Sequence, residues 1–204
     1  MSEKSFFVPK GPFYLNKLSD ETTKTPSKIK ISDIKTLDKA DKKDITFLNS
    51  QNYRNFANNT NAAACITTNN LQIHLPKKCI RIVVKNVLLT CAKISKKFYP
   101  LADLDYPDNS IVASKKISSK YTSVIFGKNI FIGKKVKIGS KTLIGSNTLI
   151  EHDVQIGKNC LIGSNVTIKN SIIGDNVVIQ DGCKIGVKGF GFIPIKGKNF
   201  RFPH

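Results

Sequence analysis

The chain has 204 residues, 40% hydrophobic and 23% charged, with 33 Lys plus Arg against 14 Asp plus Glu for a formal charge of +19. That apolar content excludes a disordered chain and supports one sizeable core or two small ones. The charge sets the sign of a partner, favouring phosphates, anionic lipid or acidic protein, although a coding bias towards Lys, Asn and Ile at solvated positions accounts for the same excess.

The opening stretch, "MSEKSFFVPKGPFYL", is broken by Pro and Gly and holds no continuous apolar run, so no secretory signal is read there. No segment has the roughly 20 apolar residues that cross a bilayer. A cytoplasmic protein with at most peripheral membrane contact is expected. Further along, "DITFLN" reads as a short strand, "SQNYRNFANN" as a helix opened by Ser50, "AAACITT" and "CIRIVVKN" as buried strands, and "VLLTCAKISKKF" as an amphipathic helix. Residues 1–98 are therefore expected to form a small α/β domain. "YPLADLDYPDNS", residues 99–110, sets two Pro among turn formers and reads as a linker. Cys65, Cys79, Cys91, Cys160 and Cys183 form no CxxC pair and are odd in number, which argues against a disulfide framework or a zinc site. Reduced, buried thiols are expected.

Residues 111–204 follow a different rule. Ile or Phe recurs at 126, 132, 138, 144, 150, 156, 162 and 168, then resumes after a one-residue slip at Ile173, Ile179 and Ile185. An α-helix turns about 100° per residue, so sixth positions leave any one face. A flat strand would also turn the intervening Lys, Ser and Asn inward. A parallel β-helix of triangular section meets the pattern, with one aliphatic per side and a coil of roughly 18 residues. Ile132, Ile150 and Ile168 would stack in one column, with Val136, Thr142, Thr148, Val154, Cys160 and Val166 as smaller inward residues. Gly follows the aliphatic at 127, 133, 139, 145, 157, 163, 174 and 186, where a missing Cβ is expected to ease the corner. Asn129, Asn147, Asn159, Asn165 and Asn176 suit left-handed turn positions.

This run of an aliphatic, a Gly and four variable residues resembles the hexapeptide repeats of bacterial acyltransferases, which implies a left-handed parallel β-helix and a homotrimer. "ISDIKTLDKADKKDITFLNSQNYRNFANNTNAAACITT" is similar to the nucleotide-binding domain of the UDP-3-O-acylglucosamine N-acyltransferase family. "GVKGFGFIPIKGKNFRFPH", residues 186–204, is similar to the Gly-Phe-Gly-Phe loop that interrupts that family's repeats. The resemblance implies transfer of a 3-hydroxyacyl chain from acyl carrier protein to the 2-amine of UDP-3-O-acyl-glucosamine in lipid A synthesis. Such a reaction needs a base and oxyanion donors and implies no cofactor.

Phe47 and Tyr53 match the family's uracil-stacking pair in spacing, and Asn49 between them is placed to bond the uracil edge. A second reading of Phe47 stays open, as a core residue of the same strand as Ile45. For the catalytic base, none of the three histidines matches the family position. His74 belongs to the first domain, His152 falls at a corner outside the prism, and His204 ends the "FRFPH" stretch. The family's catalytic His is expected beyond His204, so the resemblance implies a C-terminally truncated member or one part of a split protein. The alternative function is a non-catalytic UDP-sugar-binding or structural hexapeptide module. A zinc hexapeptide enzyme would need three His ligands, and the repeats before the loop hold only His152. Nucleic-acid binding lacks basic and aromatic interleaving, and no metal site is expected.

Overall fold

Asp44–Leu48 is buried at nearly every position, as a strand covered on both faces must be. The computed structural model describes residues 6–7, 9–102, 107–189 and 191–201. The chain divides into two compact units, residues 1–105 together with 190–204, and residues 106–189.

In the first unit, short strands β1 (Phe13–Tyr14) and β2 (Lys30–Ile31) pair antiparallel. Strands β3 (Asp33–Ile34), β4 (Asp44–Leu48), β5 (Ala64–Thr67) and β6 (Ile80–Val83) form a parallel sheet in chain order. Ile45, Ile66 and Ile82 share one face of it and pack with Val87, Cys91, Ile94 and Phe98 from helix α2 (Val87–Phe98), α1 (Arg54–Asn58) lying between β4 and β5 in the chain. Leu48 and Cys65 face the other way, into a cluster with Ala57 of α1, Leu71 and Leu75. The helix α2 starts where the sequence indicates because Asn86 caps it, its side chain accepting from the Leu89 N–H at 3.0 Å. At the start of the sheet, buried Asp44 accepts from Lys35 Nζ at 2.8 Å and from the Asp41 N–H at 3.0 Å. Tyr99 donates its hydroxyl to Asp33 nearby at 2.5 Å.

The second unit is a β-helix of dipeptide strands. In chain order these are β7 (Val112–Ala113), β8 (Ile125–Phe126), β9 (Phe131–Ile132), β10 (Lys137–Ile138), β11 (Leu143–Ile144), β12 (Leu149–Ile150), β13 (Gln155–Ile156), β14 (Leu161–Ile162), β15 (Thr167–Ile168), β16 (Ile172–Ile173), β17 (Val178–Ile179) and β18 (Lys184–Ile185). They stack in parallel as three sheets, β8-β11-β14-β17, β9-β12-β15-β18 and β10-β13-β16, with β7 joining β9 antiparallel. Ile132, Ile150 and Ile168 pair side by side and are fully buried. The smaller residues Val136, Thr142, Thr148, Val154, Cys160 and Val166 are fully buried too. The two inward threonines are satisfied: Thr142 and Thr148 donate to the carbonyls of Gly157 and Gly163 and accept from the N–H groups of Cys160 and Val166. Buried hydroxyls with both partners carry no desolvation deficit.

The corners work differently from the sequence expectation. Positive φ falls on Asn129, Lys135, Lys141, Asn147, Asp153, Asn159, Asn165, Asn170 and Asn176, so the asparagines do occupy the left-handed positions. Most repeat glycines do not; of those following an aliphatic only Gly186 has positive φ. Their small size serves close approach instead: a Cβ on Gly139 or Gly145 would stand 2.5 Å from the backbone of the next coil. That closeness is what lets the Gly145 N–H reach the Ile162 carbonyl at 2.7 Å.

Outward residues differ between walls. On β8, β11, β14 and β17 they are Ile125, Leu143, Leu161 and Val178, paired in register and each 42–63% exposed. On β10, β13 and β16 they are Lys137, Gln155 and Ile172. After the last coil, β19 (Phe192–Ile195) and β20 (Lys198–Arg201) form an antiparallel hairpin turned at Gly197, with φ 83°. This hairpin groups with the first unit, where Lys96 Nζ lies 4.4 Å from the Phe200 ring centre. Among the described residues no helix is long and apolar enough to cross a membrane.

Candidate functional site

Beyond the carboxyl ends of β3 and β4 the chain makes two turns, and between them lies a cavity of about 340 Å³. Crevices at this end of parallel strands are common ligand sites because the connecting loops splay apart there. Thr36, Leu37 and Asp38 line it from the turn after β3, where the N–H groups of Lys39 and Ala40 both donate to the Thr36 carbonyl. Phe47, Asn49, Tyr53 and Phe56 line it from the other side. Ser50 opens that second turn, its side chain accepting from the Asn52 N–H at 3.3 Å, and residues Gln51–Tyr53 then run directly into α1.

All three residues expected to bind substrate, Phe47, Asn49 and Tyr53, therefore meet in one cavity. Phe47 is half-buried against the sheet core with Ile45 and also lines the cavity. Tyr53 and Phe56 are 56% and 53% exposed, an unusual position for rings that gain so much from burial. Four lining residues were missed from sequence, namely Thr36, Leu37, Asp38 and Phe56. Phe56 had a signal, because residues three apart on a helix share a face and Tyr53 is its partner. Asp38 is the only charged residue among the described residues lining the cavity. Its carboxyl is held below the usual carboxylate range, chiefly by a hydrogen bond from the Thr36 side chain and then by backbone N–H donors.

The described lining residues include three aromatic rings and one amide, and none of them is a His, Cys or Lys. Their one carboxylate, Asp38, is a weak base because it is held below the usual carboxylate range. His74 ends the short turn Gln72–His74, away from these lining residues in the chain. His152 sits at a corner of the β-helix with Nδ1 2.9 Å from Asp153 Oδ2, and its backbone N–H donates to Asp108. His204 lies outside the described residues. Cys65, Cys79, Cys91 and Cys160 are buried and Cys183 is half-buried, all with free thiols. Burial pushes the Cys79 and Cys91 thiols up to about 11 and Cys65 higher still, which leaves these three poor nucleophiles. Among the described residues no three His, Cys, Asp or Glu converge as metal donors.

Comparison with known proteins separates the chain along the same lines. Residues 28–97, which include the whole cavity lining, match the family model described as UDP-3-O-(3-hydroxymyristoyl) glucosamine N-acyltransferase, LpxD. Residues 135–170 match the model for bacterial transferase hexapeptides. The chain is 36% identical over 105 residues to a UDP-3-O-acylglucosamine N-acyltransferase of Rickettsia canadensis (strain McKiel), a match covering 48% of this chain and 31% of that protein. It is 35% identical over 105 residues to the protein of the same name in Rickettsia prowazekii (strain Madrid E), covering 48% of this chain and 30% of that one. The match thus spans about a third of these relatives' length. Residues 28–97 thus resemble the UDP-3-O-acylglucosamine N-acyltransferase family, and residues 135–170 resemble bacterial transferase hexapeptides.

Proposed function

We propose that the chain serves in lipid A synthesis as an N-acyltransferase acting on UDP-3-O-acyl-glucosamine, with the uridine end of that substrate held in the cavity of the first unit. The observation that carries this reading is the convergence of Phe47, Asn49 and Tyr53 on one cavity inside the residues that match the family. The two rings clamp the uracil plane at about 1–3 kcal/mol per stacking contact, and Asn49 offers one donor and one acceptor to its edge. In the reaction the 2-amine attacks the thioester carbonyl of a 3-hydroxyacyl carrier protein. The C–N bond forms, the C–S bond breaks, the thiol leaves with the carrier protein, and a base takes the amine proton. The one carboxylate among the described lining residues, Asp38, is a weak base whose carboxyl lies below the usual range, so acyl transfer is assigned away from the uracil clamp.

Two further features support the reading. A formal charge of +19 favours encounter with an acidic carrier protein. The apolar wall of Ile125, Leu143, Leu161 and Val178 fits burial against another copy of the chain, in line with a homotrimer of left-handed β-helices in the cytoplasm. The test is calorimetric titration with UDP-N-acetylglucosamine and an acylation assay on the purified chain. Replacing Phe47→Ala with Tyr53→Ala together is expected to abolish nucleotide binding; unchanged affinity would remove the uracil assignment. Binding without acylated product would favour a non-catalytic UDP-sugar module.

A further inference from the structure

We infer that Asp38 reads the ribose of the bound nucleotide, so that the nucleoside enters the cavity and its diphosphate stays outside. The inference rests on the uridine reading of this cavity and adds an orientation and a sugar specificity to it. Its starting point is the polar inventory of the lining, which is one hydroxyl (Thr36), one carboxylate (Asp38), one amide (Asn49) and the Tyr53 phenol among Leu37, Phe47 and Phe56.

Consider each part of a uridine diphosphate against that inventory. The diphosphate is anionic, and the described lining residues offer it no Lys, Arg or His while presenting a carboxylate. Seating phosphate there sets like charges together, which electrostatics opposes. The uracil edge presents two carbonyl oxygens around one N–H, so a carboxylate facing it gains one donor while opposing two acceptors. The Asn49 amide, with both a donor and an acceptor, matches that edge instead. Only the ribose presents neighbouring hydroxyl donors, and a carboxylate's two oxygens accept from such a pair in charge-assisted bonds. An acidic side chain on ribose hydroxyls is the same solution that dinucleotide-binding folds use.

The local structure prepares Asp38 for this role. Its carboxylate is oriented by the Thr36 hydroxyl, and the turn carrying both is closed by two N–H donors on the Thr36 carbonyl, at 3.1 and 3.0 Å. Asp38 is exposed, whereas Phe47 packs against the sheet core, which sets the cavity's solvent side at Asp38. A ligand with its base towards Phe47 and its ribose towards the rim therefore places the phosphates in solvent.

The experiment is calorimetric titration of the full chain with uridine 5′-monophosphate and with its 2′,3′-dideoxy analogue, for the wild type and for Asp38→Ala, Asp38→Asn and Phe47→Ala. The wild type is expected to prefer the ribonucleotide by about tenfold, the scale of one hydrogen bond to a charged group. Asp38→Ala is expected to lower ribonucleotide affinity to the dideoxy level while leaving dideoxy affinity unchanged, and Asp38→Asn to fall between. Circular dichroism verifies that the variants fold. If both Asp38 variants keep the full preference while Phe47→Ala loses all binding, the ribose role is wrong and the aromatic clamp stands. If the wild type binds neither nucleotide, both readings fall.

Discussion

Replacing Gly145 by Ala would set a Cβ 2.5 Å from the Gly163 carbonyl carbon and the Ser164 nitrogen, both backbone atoms of the adjoining coil. Neither can move without breaking the ladder bond from the Gly145 N–H to the Ile162 carbonyl. Gly174 occupies the same place in its repeat, yet a Cβ there meets nothing within 4 Å. Gly145→Ala is therefore expected to cost on the order of 3 kcal/mol or more of unfolding free energy, and Gly174→Ala under about 0.5 kcal/mol, by urea denaturation. Asp108 gives a pH counterpart. Partial burial pushes its carboxyl up, but hydrogen bonds from Ser110 and the His152 N–H outweigh that and leave it below its usual value. A depressed folded pKa means the stabilisation is complete above the ordinary carboxylate pKa, about 3.9, and is lost as pH falls through the folded value. Urea titrations from neutral to acid pH are expected to show this loss in the wild type and a smaller one in Asp108→Asn.

At the scale of elements, the dipeptide strands bury one residue and expose the other, so each contributes little alone and the stack is what holds. Ile150 lies between Ile132 and Ile168 with no exposed surface. Ile150→Ala is expected to lose about 2–5 kcal/mol, the range for a large-to-small change in a packed core. These strands were legible from sequence because six residues is a period that neither a helix nor a flat strand can use. The helix Val87–Phe98 was equally legible from its amphipathic pattern, and the structure buries Val87, Cys91, Ile94 and Phe98 and caps it with Asn86. The cavity was legible only on one wall. Phe47, Asn49 and Tyr53 lie in one short segment, whereas Thr36 and Asp38 reach them because β3 pairs with β4, setting Asp33 beside Asp44 and Ile34 beside Ile45. Pairing between separate segments leaves no local pattern, so Asp38 could not be placed beforehand. The repeat glycines show the same limit: their spacing was plain, but the coil that crowds them lies a full turn away in the chain.

For the whole molecule, the unequal walls of the β-helix matter most. Lys137 and Lys184 project from two of its sheets, while the outward row of β8, β11, β14 and β17 carries no charge at all. In a chain of such net charge, like copies repel wherever Lys faces Lys, and the uncharged wall is where they approach most readily. Leu143→Lys together with Leu161→Lys is expected to lower the molar mass measured by light scattering, and Lys137→Glu on another wall to leave it unchanged. Cysteine reactivity offers a check on the integrity of both units. Cys183, half-buried, is expected to react first with a thiol reagent, and the four buried cysteines only on unfolding.

Between Ile168 and Ile173 the repeat runs one residue short, yet Ile156 still lies beside Ile173, Ile162 beside Ile179 and Ile168 beside Ile185. The whole deficit is taken up at the bend holding Asn170, whose φ of 47° matches its counterparts elsewhere. A codon lost at a bend thus leaves every downstream side chain facing as before, whereas the same loss inside a strand dipeptide would turn the following interior residue out into water. Length variation among natural versions of this gene is accordingly expected to gather at the bends, and the flats to keep their count.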